Sequence, residues 1–354
     1  MTTPVTGVDL ASRWFGASVV AASDESFGLK ENLLHPGPAV FEPGHYDPRG
    51  EIVDGWETRR RREPGHDWAL IRLGVPGVVQ QLDVDTSHFT GNHPSSARVE
   101  GCTVEGYPSP VELAGPRTQW TELVAHTPLR GDAHNVFDVD HPQRFTHVRL
   151  SIAPDGGVAR LRVLGDPTVD PADWSGITVE LSGVEQGGRV LWSSNDFYSP
   201  AQVLVMPDRA RTMGEGWETA RRRDPGHDSV VVSLAAEADV SVVEVDTAHF
   251  KYNASAEVAV LGLGTAELSA WRAAGAGGEP GEWTGWREVL PRTRLQPDTR
   301  HRFRVAAHGI AAVRLDAFPD GGLSRLRVFG VPTAAGWADL GRRWATALPD
   351  PTRP

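Results

Sequence analysis

Short alternations of apolar and polar residues recur along the chain and predict β-strands. Val148, Leu150 and Ile152 alternate with polar neighbours, and beyond the turn sequence PDGG, Leu161 and Val163 do the same. A period of two places one face of a strand in a core and the other in solvent. We therefore predict a hairpin with one buried face around PDGG.

The same alternation appears in the second half of the chain, at Val243 and Val245. Proline and glycine interrupt the chain at almost every interval, and helical periodicity is scarce; the stretch WADLGRRWATAL near the C-terminus is the best helix candidate. Many short, evenly spaced strands are typical of sandwiches. The predicted fold class is all-β, with antiparallel β-sandwich or jelly-roll domains.

The chain contains an internal duplication. GWETRRRREPGHD (55–67) returns 161 residues later as GWETARRRDPGHD (216–228), and LDVDTSHFTGN (82–92) returns at the same offset as VEVDTAHFKYN (243–253). RLSIAPDGGVARLRVLG returns at an offset of 165 as RLDAFPDGGLSRLRVFG. Repeats of this length indicate tandem domains. We predict a first domain over 1–170 and a second over 171–354, joined by GDPTVDPADWSG (165–176).

Composition narrows the class of function. The 354 residues carry a formal net charge of −11 and a pI near 5.6, which argues against a general nucleic-acid or acidic-membrane binder. One cysteine, Cys102, excludes an internal disulfide and a cysteine-based zinc site. The N-terminal segment lacks the pattern of a secretory signal, and no apolar run is as long as a membrane span. We expect a cytoplasmic protein.

The duplicated arginine segment is the first candidate for chemistry. In an extended segment Arg60 and Arg62 point to one side and Arg61 to the other. Two guanidinium groups on one side bind a carboxylate strongly. The alternative is an Arg–Glu network that pins a loop to the sandwich. The arginines are therefore candidates for binding a small anion.

His66 and Asp67 follow the Pro-Gly turn of this segment. A histidine beside an acid is a candidate general acid–base group, and the competing interpretation is a histidine that caps the turn. Trp56 is interpreted as a core residue.

The second candidate group follows a strand, where a rim loop would begin. It contains Asp85, Thr86, His88 and Asn92. Asp85 and His88 could ligate Mn²⁺ or Zn²⁺, although their spacing matches no established metal signature. The alternative is a set of polar side chains that satisfies the loop backbone. No nucleophile elbow, phosphate-cradling loop or zinc-protease helix is present in the sequence.

These motifs resemble a known family. GWETRRRR, HDWALIRLG, DVDTSHFTGNHP and SDESFG-x₂-ENLL are similar to the allantoicases, and the likeness covers nearly the whole chain in both copies. The resemblance implies tandem jelly rolls related to discoidin-like and galactose-binding domains, a homo-oligomer, and the release of urea from allantoate to leave ureidoglycolate in purine catabolism. The second copy departs from the pattern at Tyr252, where the family has glycine, and at Ser229, which replaces the tryptophan seen as Trp68.

Allantoate carries one carboxylate and two ureido groups on a single carbon, which suits these residues. We predict a catalytic set that comprises Glu57, His66, Asp67, Asp85 and His88. The predicted substrate-binding set comprises Arg60, Arg61, Arg62, Thr86, Asn92, Glu218, Arg221, Arg222, Arg223, His227, Asp246, His249 and Asn253. His66 or His88 would protonate the departing urea nitrogen, while Glu57 or Asp85 would stabilise the cationic carbon or activate water. A cofactor is not required by the sequence.

Two other classes of function compete with the enzyme. One is a non-catalytic tandem sandwich that binds carbohydrate or another small ligand, for which exposed aromatic residues would be expected instead of repeated Glu, Arg, His and Asp. The other is a degenerate structural subunit, in which the rim residues would form no concave site. The repeated charged motifs favour the enzyme.

Overall fold

The structure, a computed structural model, describes residues 7–274 and 283–349. Residues 1–6 and 350–354, at the outer ends of the two predicted domains, lie outside the described residues, as does the start of the N-terminal segment considered for a secretory signal. One compact unit comprises 7–168 and 345–349, and the other comprises Val169–Trp344. Among the described helices, none has the length and apolar character needed to cross a membrane.

The first repeat consists almost entirely of β-strands. Its strands are β1 (Val8–Asp9), β2 (Ser18–Ala22), β3 (Tyr46–Asp47), β4 (Gly50–Glu51), β5 (Trp56–Glu57), β6 (Asp67–Asp85), β7 (Ser96–Cys102), β8 (Thr121–Pro128), β9 (His134–Asp138), β10 (Arg144–Ala153), β11 (Gly157–Val158) and β12 (Arg160–Pro167). Its helices are α1 (Pro110–Ala114) and the 3₁₀ turns Arg13–Phe15 and Lys30–Leu34.

The second repeat follows the first in outline but, among the described residues, has no counterpart of the β3–β4 hairpin. Its strands are β13 (Val179–Glu180), β14 (Arg189–Ser193), β15 (Trp217–Glu218), β16 (Asp228–Asp246), β17 (Glu257–Leu263), β18 (Arg287–Arg294), β19 (Arg300–Phe318), β20 (Gly322–Leu323) and β21 (Arg325–Pro332). Its helices are α2 (Thr265–Ala273), α3 (Ala334–Ala347) and the 3₁₀ turns Pro171–Trp174, Val184–Gln186, Ala201–Val205 and Met213–Glu215.

The long strand β6 builds both layers of the first sandwich. Its first part, from Asp67 to Arg72, pairs antiparallel with β10 and β2, and its last part pairs with β12 and β9. A strand that passes from one sheet to the other makes a corner of a sandwich. The inward side chains of both parts belong to one buried apolar cluster, which includes Ile71, Leu82 and Val84. The predicted tandem jelly-roll architecture is confirmed.

The second repeat uses β16 in the same way, with one local difference. The 19-residue strand β19 is continuous where the first repeat has β9 and β10 separated by residues 139–143. Pro142 lies in that interruption, and proline lacks the N–H group that a ladder requires.

The hairpin predicted around PDGG is wrong. The two alternating stretches form β10 and β12, but these strands do not pair with each other; both pair with β6, which takes part in both sheets. Alternation reveals which face is buried and not which strand is the neighbour. The turn instead leads into β11, which pairs with β5.

Other local predictions are confirmed. All of WADLGRRWATAL except its last residue, Leu348, falls within α3, and the side chain of Trp56 is fully buried in the core. Cys102 is buried and free, and burial raises the pKa of its thiol to about 12.

Candidate functional site

The candidate site lies in a cluster of loops at one end of the first sandwich, which we call the first rim. The first rim is formed by residues 57–67, 86–93 and 154–157. The corresponding segments of the second repeat, which we call the second rim, are 218–228, 247–254 and 319–322. The predicted site residues lie on these loops, except Asp85 and Asp246, which end the strands β6 and β16 just before them.

Glu57 is placed in the first rim by the short strand β5. Side chains alternate along a strand, so the buried Trp56 anchors β5 in the core while Glu57 points outward and is half-buried. The Trp56 indole N–H donates a hydrogen bond to the Asp24 carbonyl oxygen at 2.7 Å. The Glu57 carbonyl oxygen accepts hydrogen bonds from the N–H groups of Phe27 and Gly28, both at 3.1 Å. The backbone of Glu57 is therefore fixed on both sides.

The Glu57 carboxylate is joined to Asn92. The Asn92 side-chain amide donates a hydrogen bond to Glu57 Oε1 at 2.8 Å, and within the described residues Oε2 has no hydrogen-bond partner. Burial raises the pKa of the Glu57 carboxyl, and the hydrogen bond from Asn92 offsets part of that rise. This carboxylate is thus a stronger base than an exposed glutamate and retains one free oxygen.

The loop that carries Asn92 is held by its own polar residues. The buried Thr86 hydroxyl bonds the carbonyl oxygens of Arg130 and Ala133 at 2.7 and 3.0 Å. The backbone of His88 adopts a φ of 70°, and its N–H donates to Asp132 Oδ1 at 2.8 Å. A non-glycine residue in the left-handed region is uncommon and needs such support. Thr86 and the His88 backbone shape the loop.

The three arginines differ in exposure and in their partners. Arg61 is half-buried and donates from Nη1 to Asp67 Oδ1 at 2.9 Å, whereas Arg60 and Arg62 are exposed. Within the described residues, neither Arg60 nor Arg62 makes an ion pair. Arg61 therefore fixes the loop, as in the alternative interpretation of the cluster. Arg60 and Arg62 are free to bind an anion.

His66 and Asp67 occupy different environments. The His66 side chain is exposed, while the Asp67 carboxylate is almost fully buried and also accepts a hydrogen bond from the Ser23 hydroxyl at 3.0 Å. Asp67 Oδ2 and Arg61 Nε are buried atoms that have no hydrogen-bond partner among the described residues. Buried polar atoms of this kind are commonly satisfied by an ordered water molecule. Asp67 is part of the support beneath the rim, and His66 is available at its surface.

Sequence reasoning missed the turn that connects these loops. Asp155 Oδ2 accepts a hydrogen bond from the Arg61 backbone N–H at 2.7 Å. Thr58 and Gly156 exchange two hydrogen bonds, each 3.1 Å long. Gly156 has a φ of 138°, and a Cβ atom there would lie 2.5 Å from the carbonyl oxygen of Asn92. The signal was present in the sequence, because PDGG is repeated, but it was interpreted only as a hairpin turn.

A second residue that sequence reasoning missed is a buried arginine in each repeat. Arg160 is 1 % exposed and forms an ion pair with Asp54 at 2.6 Å, besides hydrogen bonds to five carbonyl oxygens. Its counterpart Arg325 binds the carbonyl oxygens of Asp208 and Glu215 at 3.0 and 2.8 Å. Both arginines fasten a long loop to the sandwich, and the duplicated RLR sequence was the available signal.

Asp85 and His88, the proposed metal ligands, are engaged in other contacts. Asp85 Oδ1 accepts hydrogen bonds from the N–H and the hydroxyl of Ser87 at 2.8 and 2.6 Å, and His88 Nε2 lies 3.2 Å from the Ala39 carbonyl oxygen. Within residues 7–274 and 283–349, no group of three or more His, Cys, Asp or Glu side chains is arranged to hold a metal ion. These two residues do not fit a divalent metal in this arrangement.

The second rim reproduces the supporting contacts. Asn253 donates to Glu218 Oε1 at 2.7 Å, and Arg222 donates to Asp228 Oδ1 at 3.0 Å. The backbone N–H of Arg222 donates to Asp320 Oδ2 at 3.0 Å. The other predicted residues follow the same pattern: the Thr247 hydroxyl bonds Gln296 and Thr299 carbonyls, His249 has a φ of 70°, Asp246 is buried, and Arg221 and Arg223 are exposed.

His227 distinguishes the second rim from the first. Its Nε2 lies 3.5 Å from Asp316 Oδ1, and its ring packs against Phe318 with centroids 4.6 Å apart. Burial alone would raise the pKa of Asp316, but hydrogen bonds from His227, Arg314 and Ser229 outweigh burial and lower it. The first repeat has Ser151 and Ala153 at the positions of Asp316 and Phe318, so His66 lacks both neighbours.

Comparison with known proteins identifies relatives over the whole length. A family model described as an allantoicase repeat matches residues 8–168 and 179–333, one match for each repeat. A probable allantoicase of Streptomyces coelicolor is 49% identical over 348 residues, which cover 95% of this chain and 88% of that protein. A probable allantoicase of Nocardia farcinica is 46% identical over 325 residues, which cover 91% and 93%.

A solved structure agrees in fold with this chain. The crystal structure of allantoicase from Saccharomyces cerevisiae superposes with a TM-score of 0.75 at 30% sequence identity, and the match covers 92% of this chain and 94% of that chain. The similarity therefore extends over both sandwiches.

Proposed function

The chain belongs to the allantoicase family, and from that premise we propose that it hydrolyses allantoate to ureidoglycolate and urea at the first rim. The reaction adds one water molecule and breaks the C–N bond between the central carbon and one ureido nitrogen. Family membership over both repeats supports this activity over a non-catalytic carbohydrate-binding module.

One observation carries the assignment to the first rim. Glu57, half-buried and joined to Asn92 at 2.8 Å, lies in the same loop cluster as two exposed arginines, Arg60 and Arg62, and an exposed histidine, His66. A base, anion-binding groups and a proton donor are thereby available together. These are the groups that the hydrolysis of an anionic ureide requires.

Arg60 and Arg62 are proposed to bind the carboxylate of allantoate. Their guanidinium groups are permanently charged and bind both oxygens of a carboxylate in one plane. Arg61 does not take part directly, because it is held by Asp67 and fixes the backbone from which its neighbours project.

Glu57 and Asn92 are proposed to act at the ureido groups and the attacking water. The free Glu57 Oε2 accepts a proton from water, and the raised pKa of Glu57 strengthens it as a base. The side-chain carbonyl oxygen of Asn92 can accept a hydrogen bond from a ureido N–H group. A site built to pair with such groups rejects analogues that lack them.

His66 is proposed to donate the proton to the departing ureido nitrogen. That nitrogen leaves with the bonding electron pair and becomes part of urea, while the oxygen of water bonds to the central carbon. General acid–base catalysis of this kind contributes about 10² to 10⁴-fold. The exposed position of His66 suits this role better than that of His88, whose ring lies against the Ala39 carbonyl.

The other residues predicted to be catalytic or substrate-binding are proposed to support the site. Asp67, Asp85 and Thr86 are buried and hydrogen-bonded to neighbouring loop atoms. Their removal would disturb the positions of Arg60, Arg62 and Asn92. Because Asp85 and His88 do not fit a metal ion, no step of the proposed mechanism uses one.

We also propose that the protein works in the cytoplasm and as a homo-oligomer. A single buried cysteine is compatible with a reducing compartment. Cell fractionation and sedimentation of the purified protein test these two points.

Urea release from allantoate by the purified protein, before and after treatment with a chelator, tests the proposed function. We expect turnover that survives chelation, and Glu57→Gln serves as the control for activity at the first rim. Turnover lost on chelation and restored by Mn²⁺ would overturn the metal-free mechanism. The absence of turnover under both conditions would contradict the proposed activity and support the binding module.

A further inference from the structure

The first rim contains a further arginine that the second rim lacks. Arg59 directly precedes Arg60, and the corresponding residue of the second repeat is Ala220. The partner of Arg59 differs as well, because Asp24 of the first repeat corresponds to Asn195 of the second. The two repeats therefore differ at both members of one ion pair, which the first rim has and the second rim has lost.

Asp24 holds the Arg59 guanidinium at its Nε atom. Arg59 Nε lies 2.9 Å from Asp24 Oδ2, and the side chains of Arg59 and Asp24 are 72% and 8% exposed. Burial alone would raise the pKa of the Asp24 carboxyl, but hydrogen bonds from the Arg59 backbone and from Ser26 outweigh burial and lower it. Within the described residues, Arg59 makes no other ion pair. Its terminal N–H groups are thus oriented and available to a ligand.

The loop conformation does not require this ion pair. Asp24 Oδ1 accepts hydrogen bonds from two backbone N–H groups, one of them that of Arg59, at 2.8 and 3.0 Å. Asn195 Oδ1 accepts the two equivalent hydrogen bonds, one of them from the N–H of Ala220, at 3.2 and 3.0 Å. The loop needs an acceptor oxygen, and an uncharged amide supplies one. The charge of Asp24 and the guanidinium of Arg59 therefore serve another purpose.

Arg59 lies beside Glu57 on the outer side of the same segment. Trp56 and Thr58 are buried, whereas Glu57 is half-buried and Arg59 is exposed. This alternation places Glu57 and Arg59 on one face of the segment. The Cα atoms of residues two apart on an extended chain are separated by about 7 Å, so both side chains can contact one small substrate.

We infer that Arg59, oriented by Asp24, is a further substrate-binding residue that donates hydrogen bonds to the carbonyl oxygen of the departing ureido group. The inference rests on the proposed hydrolysis of allantoate, in which Glu57 and Asn92 act at the ureido groups. When the C–N bond breaks, its electron pair passes to the ureido nitrogen, and conjugation spreads the negative charge onto the carbonyl oxygen until His66 delivers the proton. A guanidinium beside that oxygen stabilises the charge.

The kinetic parameter that changes separates Arg59 from Arg60 and Arg62. The carboxylate that Arg60 and Arg62 are proposed to bind is charged before and during the reaction, so their loss acts chiefly on KM. Charge on the ureido oxygen develops only as the C–N bond breaks, so the loss of Arg59 acts chiefly on kcat.

Steady-state kinetics of urea release by the full chain test the inference. Arg59→Ala, which introduces the residue that the second repeat has, should lower kcat by about 10²-fold with little change in KM. Asp24→Asn keeps the acceptor oxygen that the loop needs and should lower kcat by about tenfold, the scale of one polar contact. The two changes combined should match Arg59→Ala alone, because Asp24 acts through Arg59. Arg117→Ala, which removes an exposed arginine elsewhere in the first repeat, should retain parental kinetics.

Chemical rescue separates direct binding from a structural role. Methylguanidinium ion in solution should raise the kcat of Arg59→Ala by about threefold or more, since it supplies the missing group without its positioning, and should leave Arg117→Ala unchanged. Circular dichroism confirms that each variant is folded. Parental kcat in Arg59→Ala, a loss confined to KM, or additive losses in the combined variant would overturn the inference while the proposed function stands. A parent chain without turnover would contradict the proposed function and the inference together.

Discussion

The first and second rims share their supporting contacts and differ in their exposed residues. Both have a Glu–Asn pair, at 2.8 and 2.7 Å, and both have an arginine that binds a buried aspartate, at 2.9 and 3.0 Å. Both also hold a histidine at a φ of 70°. Both copies keep these contacts at similar distances after the duplication. The loops of this sandwich therefore require them for their conformation.

The exposed residues of the two rims have diverged. Gly91 of the first rim corresponds to Tyr252, which is fully exposed, and Ser26 corresponds to Phe197, which is 70% exposed. His66 is free at the surface, whereas His227 is held by Asp316. Buried polar residues in these motifs therefore serve the fold, while exposed ones distinguish the proposed active rim from its copy.

The largest difference between the two rims is expected on replacing His66. His66→Asn removes the proposed proton donor, and we expect kcat for urea release to fall by about 10² to 10⁴-fold. The matched change His227→Asn should leave kcat close to that of the parent. Equal losses in the two variants, measured by steady-state kinetics, would show that the rims act alike.

The second-largest effect is expected on replacing Arg60 and Arg62 together. Arg60→Ala combined with Arg62→Ala removes two charge-assisted hydrogen bonds worth about 1.5–3 kcal/mol each, so kcat/KM should fall by about 10²-fold or more, chiefly through KM. Arg221→Ala with Arg223→Ala is the matched control in the second rim. If KM is unchanged in the first double variant, these arginines do not bind the substrate.

A smaller effect is expected at the turn that joins the loops. Asp155→Ala removes the acceptor for the Arg61 N–H, and we expect kcat/KM to fall by about tenfold, the scale of one hydrogen bond. Asp155→Asn keeps an acceptor oxygen and should restore most of the activity. Asp320→Ala provides the comparison in the second repeat; failure of the Asn variant to restore activity would contradict a positioning role.

The smallest effect concerns the pH dependence. The hydrogen bond from Asn92 lowers the pKa of Glu57, which burial raises, so Asn92→Ala should raise that pKa further. Glu57 must be ionised to act as a base, and activity is lost as the pH falls through its pKa. The acidic limb of kcat/KM against pH should therefore move to higher pH, while Asn253→Ala leaves it in place. A limb that moves to lower pH would contradict this account.

The sequence predicted the architecture better than the roles of individual side chains. Duplication and alternation identified two sandwiches. The pairing of β10 and β12 could not be predicted, because alternation carries no information about neighbours. Nor could the sequence show that Asp67 is buried or that Asp155 accepts a hydrogen bond from Arg61. Both features depend on residues that are far apart along the chain.

We propose that the first rim, and not the second, performs the hydrolysis. Measuring kcat and KM for urea release from allantoate by Glu57→Gln and Glu218→Gln, side by side, tests it most directly, because the two glutamates have equivalent positions and equivalent asparagine partners. We expect a loss of about 10²-fold or more in kcat for Glu57→Gln and near-parental kinetics for Glu218→Gln. A comparable loss in Glu218→Gln, or full activity in Glu57→Gln, would contradict it.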